Sequence, residues 1–179
     1  YTEHFSERLR YEIGRPRDIV IKTGISGWTG QAIRNDIDWN ILQFTPDAVS
    51  IMIGMNDCRA GTEKVDVFRD NYRFIIDRVM ENGKPPVILH TPNPIWAEAM
   101  DIRGSLPVYV DEIRRIAREY DLLLVDHFAY WASAIQEKPI RATAWMNDSL
   151  HPGQYGHIAM AHLLLKELGM WDSSSYIAR

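Results

Sequence analysis

Four short apolar runs, set apart by longer amphipathic segments, constrain this chain more than any other feature. The runs are 18–22 (Asp-Ile-Val-Ile-Lys), 47–53 (Asp-Ala-Val-Ser-Ile-Met-Ile), 86–90 (Pro-Val-Ile-Leu-His) and 122–125 (Leu-Leu-Leu-Val). Each is long enough for a buried strand and too short for a helix. Between them the apolar spacing changes: Val65, Phe68, Tyr72, Ile75, Ile76 and Val79 share one side of a helix over 65–80 that Asn82-Gly83 closes. Further helices are expected over 1–13, with Phe5, Leu9 and Ile13 at spacing four and Gly14 as stop, and over 29–42, 107–120 and 128–135. A last helix runs over 154–168, carrying Tyr155, Ile158, Ala159, Leu165 and Leu168 and stopping at Gly169. Strand followed by helix, repeated, makes βα units and hence a mostly parallel sheet between helices, a three-layer α/β/α domain.

Composition narrows the function classes. A chain of 179 residues is most simply one domain, 1–179, able to bury roughly 70% of its unfolded surface. Its net charge is −4, and its Lys and Arg residues are scattered, so no nucleic-acid or anionic-membrane footprint is present. The lone cysteine, Cys58, excludes an internal disulfide and a cysteine-rich metal site, and suits a reducing, cytoplasmic compartment. No run approaches the roughly 20 apolar residues of a membrane span.

Candidate chemistry lies in the loops. In open parallel sheets ligands bind beyond the carboxyl ends of the strands. There the chain places Thr23-Gly24-Ile25-Ser26-Gly27, then Gly54-Met55-Asn56-Asp57, then the proline-broken 91–96 ending in Trp96. The Gly24 backbone N–H and the Asn56 side-chain amide, aimed at one point, would form an oxyanion hole; singly, Gly24 also reads as a turn residue and Asn56 as a cap. Asp148 stands three residues before His151 on a loop, where the carboxylate can hold the imidazole and stabilise it once protonated. The same spacing also arises by chance, and Pro152 after the histidine is an ordinary helix-start signal.

Together these blocks resemble the SGNH, or GDSL-type, hydrolases. Thr23-Gly24-Ile25-Ser26-Gly27 is similar to that family's glycine block, Gly54-Met55-Asn56-Asp57 to its G-x-N-D block, and Asp148-Ser149-Leu150-His151-Pro152 to its D-x-x-H-P block. The resemblance covers nearly the whole chain. It implies a flavodoxin-like sheet and a serine esterase acting on a small-molecule ester. In that reading His151 is the base, Asp148 its orienting acid, and Gly24 and Asn56 the oxyanion donors; no metal or cofactor is required. It further implies a first strand ending in Gly-Asp-Ser, which supplies the nucleophile and lies upstream of Tyr1. Because the base must be neutral, kcat/KM is expected to rise through roughly pH 6 to 7.

Three tryptophans, Trp28, Trp96 and Trp145, fall beside these loops and are candidates for contact with a sugar ring or acyl chain; six tryptophans in all make core packing the competing reading. Ser26 is the tempting nucleophile within the chain, yet Trp28 breaks the G-x-S-x-G elbow. Two other functions stay open from the sequence. One is a metal-dependent hydrolase using Asp148, His151 and His157, though no H-E-x-x-H pattern accompanies them. The other is an inactive binding module that keeps the fold. Neither oligomeric state nor the natural ester is written in the sequence.

Overall fold

The computed structural model describes residues 1–176. In chain order the elements are α1 (Thr2–Glu7), α2 (Gly30–Asn35), α3 (Ile37–Asn40), β1 (Val49–Met52), α4 (Val65–Glu81), β2 (Val87–His90), α5 (Met100–Arg103), α6 (Leu106–Glu119), β3 (Leu123–Val125), α7 (His127–Glu137), α8 (Arg141–Ala144) and α9 (Gln154–Glu167). The chain divides into two compact units, one of Thr23–Phe128 and one of Tyr1–Lys22 with Ala129 onward.

The unit over 23–128 holds the sheet. Its strands run parallel in the order β1-β2-β3, with Val49 opposite Val87, Ile51 opposite Leu89, and Leu89 opposite Leu124. Side chains alternate across a strand, so these residues share one face. They bury there in one apolar cluster with Phe68, Tyr72, Ile75, Ile76 and Val79 of α4 and Tyr109, Val110, Ile113 and Ile116 of α6. Long parallel crossovers supply those two helices, as βα geometry requires. Between them, the Arg69 guanidinium meets the buried Glu112 carboxylate through Nε at 2.5 Å and Nη2 at 3.1 Å, a two-pronged pair that Arg115 completes.

The opposite face is polar at its carboxyl end. There His90 and His127 are fully buried, His90 Nε2 lying 2.8 Å from Ser50 Oγ and its Nδ1 3.0 Å from His127 Nε2. The ends of β2 and β3 are tied by Thr91, whose hydroxyl donates to Asp126 at 3.0 Å and accepts the Phe128 N–H at 2.9 Å.

In the other unit, α1 packs against α9, whose Ala159, Met160, Ala161, Leu163, Leu164 and Leu165 are buried with Leu9 and Trp131. Past Glu7 the first helix widens into a π-helical turn over Arg8–Glu12, closed by the Ile13 N–H on the Arg8 carbonyl at 3.0 Å. Gly14 follows at φ 74°, a left-handed stop that glycine takes without penalty.

Two expectations are corrected. Residues 18–22 form no strand: Ile19 is 77% and Ile21 50% exposed, and no ladder partner pairs with them among the described residues. An apolar run becomes a strand only through pairing, which is a non-local event. The helix expected over 29–42 is broken at Asp36, where φ −125° and ψ 16° are not helical, and ends in a tight turn through Thr45 at φ 44°. Asn and Asp residues favour helix ends over helix interiors, and Asp36 stands at the N-cap position of the next turn, α3, without a side-chain capping bond.

Candidate active site

The loop from Trp145 to Gly153 is shaped by its own backbone. An antiparallel bridge joins Met146 and Pro152, the Asn147 N–H donates to the His151 carbonyl at 2.8 Å, and the Gly153 N–H to that of Trp145 at 2.8 Å. At the tip, Asp148 Oδ1 accepts the Leu150 and His151 N–H groups, each at 2.8 Å. The imidazole lies against the same carboxylate, Nδ1 at 2.8 Å from Oδ2 and 3.1 Å from Oδ1. These donors hold the Asp148 carboxyl down to about 2, the His151 N–H contributing most, then that of Leu150, then the ring. A carboxylate can only accept, so the Nδ1 position carries the proton and Nε2 is left with its lone pair. That nitrogen has no protein partner among the described residues, and the ring is 70% exposed. A held, outward-facing imidazole is what a general base needs.

Packing fixes the loop's base. Trp145 meets Trp131 edge-on at 4.9 Å between ring centroids and stacks on Tyr130 at 6.0 Å, while the Arg141 guanidinium sits 5.4 Å over its ring. Gly156, at the start of α9, lies against the Trp145 carbonyl with no space for a side chain. Trp145 is thus anchored within its own unit while remaining half-buried. His157 is half-buried on α9, and His162 packs on Trp171 at 4.6 Å. Among the described residues no three or more His, Cys, Asp or Glu groups gather where they would hold a metal ion.

In the 23–128 unit two loops lie together. Asn56 Nδ2 donates to the Trp28 carbonyl at 3.1 Å, and its Oδ1 faces Arg103 Nη2 at 3.5 Å. Carbonyl on one side and guanidinium on the other admit one orientation of the amide. An amide nitrogen has two hydrogens, and only one is engaged here. Arg103 Nε also donates to the Met55 carbonyl at 3.1 Å, holding the residue before Asn56. Gly24 is exposed on the first loop, with ordinary φ, open space where a Cβ would lie, and no hydrogen-bond partner for its N–H among the described residues. That loop is held at one end by Asn40 Nδ2 on the Thr23 carbonyl at 3.1 Å, and at the other by the Gly30 N–H on Asp57 at 2.7 Å. Ser26 is exposed at the turn that Gly27 makes at φ 81°. Trp28 is half-buried, and Trp96, also half-buried, opens a short 3₁₀ turn over Ala97–Ala99.

Sequence reasoning passed over two of these residues. Asp57 reads as the closing letter of a motif, and Arg103 lies 47 positions from its partner Asn56, so nothing local announces either contact.

Comparison with known proteins identifies the family. The GDSL-like lipase/acylhydrolase family matches residues 1–159. An acetylxylan esterase from Geobacillus stearothermophilus is 31% identical over 159 residues, spanning 84% of this chain and 72% of its own. Among solved structures, a GDSL-like lipase from Parabacteroides merdae superposes with a TM-score of 0.82 at 21% identity, covering 94% of this chain and 81% of that one. A catalytic mutant of an acetylxylan esterase from G. stearothermophilus, with a serine replaced by alanine, superposes at 0.70 with 28% identity over 83% of this chain and 71% of that one. The chain belongs to the GDSL-like lipase/acylhydrolase family, and with it to the carboxylic ester hydrolases.

Proposed function

We propose that this chain is a serine esterase that removes short acyl groups, acetyl from a carbohydrate foremost, with Asp148 and His151 as acid and base and with Asn56 and Gly24 as oxyanion donors. The observation that carries the reading is the 2.8 Å contact of His151 Nδ1 with an Asp148 carboxylate already held by two backbone N–H groups. We place the nucleophilic serine in a segment preceding Tyr1. Support comes from the apolar Ile19 and Ile21, exposed in a run that pairs with nothing in the described residues, and from the serine mutated in the acetylxylan esterase.

In this mechanism the serine oxygen attacks the ester carbonyl carbon as its proton passes to His151 Nε2. Asp148 stabilises the imidazolium, and the carbonyl oxygen becomes an anion facing the Asn56 and Gly24 N–H groups. Collapse expels the sugar hydroxyl, which takes the proton from Nε2. Water then repeats the sequence on the acyl-enzyme, releasing acetate and restoring the serine. The acetyl preference rests on the 31% identical acetylxylan esterase. Trp28 and Trp96 are the aromatic surfaces assigned to the sugar. Trp145, the third candidate from sequence, also anchors the His151 loop through Trp131, Tyr130 and Arg141 while staying half-buried.

The test uses the full natural protein. A fluorophosphonate should label one serine upstream of Tyr1, located by peptide mass spectrometry, and p-nitrophenyl acetate should be cleaved faster than the octanoate. His151→Ala should lower kcat by roughly 10³-fold or more. No labelling would make the protein a binding module, and labelling at Ser26 would relocate the nucleophile.

A further inference from the structure

Resting on that oxyanion reading, we infer that Asp57 is a positioning residue that sets the two oxyanion donors with respect to each other. Its carboxylate is buried between the two loops that carry them. Oδ1 accepts the Gly30 N–H at 2.7 Å, at the first residue of α2, where the Gly24 loop ends. Oδ2 accepts the Gly54 N–H at 3.1 Å, at the first residue of the turn that presents Asn56. One rigid, planar group therefore spans both loops, and its neighbour Asn56 adds the second tie through the Trp28 carbonyl.

The surroundings are built for this bridge. Gly54 sits at φ 112°, a conformation closed to ordinary side chains, which turns its N–H onto the carboxylate. A Cβ at Gly30 would lie 3.3 Å from both Asp57 Oδ1 and Ile53 Cδ1, so a side chain there would press on the carboxylate by a few tenths of an ångström. Removal from water pushes the Asp57 carboxyl up, against the pull of the Gly30, Gly54 and its own backbone N–H groups, so the site holds this group at a cost in its own charged form. A core designed for stability alone has no call for a buried carboxylate here, whereas a donor pair that must hold its spacing to a fraction of an ångström does.

The experiment compares three variants of the full protein on p-nitrophenyl acetate. Asp57→Asn keeps the shape but turns an amide N–H toward one backbone N–H. It should lower kcat roughly ten- to hundredfold with KM within about twofold, in protein that melts cooperatively. Asn56→Ala should lower kcat by on the order of 10² to 10³. In the double variant the Asp57 effect should largely vanish, because Asp57 acts through the donor already removed. If Asp57→Asn does not fold, Gly30→Ala, which presses the same carboxylate from the loop side, should lower kcat severalfold with KM unchanged. A full kcat in the folded Asp57→Asn protein, or in folded Gly30→Ala where the former does not fold, overturns the positioning role and leaves the oxyanion hole standing, as does full additivity with Asn56→Ala. A full kcat in Asn56→Ala overturns the oxyanion reading and this inference with it.

Discussion

Asp148 does two jobs with one carboxylate. It accepts two backbone N–H groups that bend the loop, and it accepts the imidazole Nδ1 proton. Asp148→Asn can keep the first role through its amide oxygen but presents N–H hydrogens toward the ring, favouring the tautomer with Nδ1 unprotonated and Nε2 blocked as a base. Activity on p-nitrophenyl acetate should fall by roughly 10³ to 10⁴ in kcat while the thermal transition shifts little. A variant within tenfold of the parent would remove the carboxylate from the proton path. With its pKa held at about 2, Asp148 stays ionised throughout pH 4 to 9. Loss of rate on acidification within that range therefore cannot come from this carboxyl. At this scale the sequence was read through proximity: Asp148 and His151 were visible because three residues separate them, and Asn56 because a short block contains it. Arg103, 47 residues from Asn56, was invisible for the same reason.

Among the elements, α9 has the narrowest tolerance. Its first turn lies beneath the His151 loop, and a Cβ at Gly156 would overlap the Trp145 carbonyl oxygen and stand 3.0 Å from both Pro152 and Trp131. Backbone and a fully buried indole cannot yield cheaply, so Gly156→Ala should destabilise by about 1 to 3 kcal/mol, several degrees in a melting experiment. Because the displaced atoms form the base of the loop, kcat should fall as well; an unchanged melting temperature would show that α9 can slide outward. Periodicity found β2, β3, α4, α6, α7 and α9 to within one or two residues, since each is fixed by an apolar run or stripe of its own. It failed at 18–22 and 29–42. In the first, Ile19 and Ile21 have strand character but no pairing partner among the described residues; in the second, apolar spacing continues through Asn35-Asp36, where the Asp36 backbone leaves the helical region.

Global stability should carry the signature of the buried histidine pair. Burial drives His90 to about 4 and His127 to about 3, and for His127 the nearness of the His90 ring adds to the penalty on charging. Above the ordinary imidazole value of about 6.5 both folded and unfolded chains are neutral at these positions, and the pair has no pH dependence. Below it the unfolded chain takes up protons that the folded chain refuses. Stability must then fall with pH, by up to about 1.4 kcal/mol per unit for each ring, until the folded rings protonate near 4 and 3. Asp57 works in the opposite sense, because a carboxyl raised by burial takes up its proton in the folded state first. Urea midpoints should therefore decline from pH 7 to pH 5. His90→Gln, which retains a group able to reach Ser50, should start less stable but show a shallower decline. An equal slope in parent and variant would mean that the acid sensitivity arises elsewhere, and that the Ser50–His90–His127 chain admits a proton without opening.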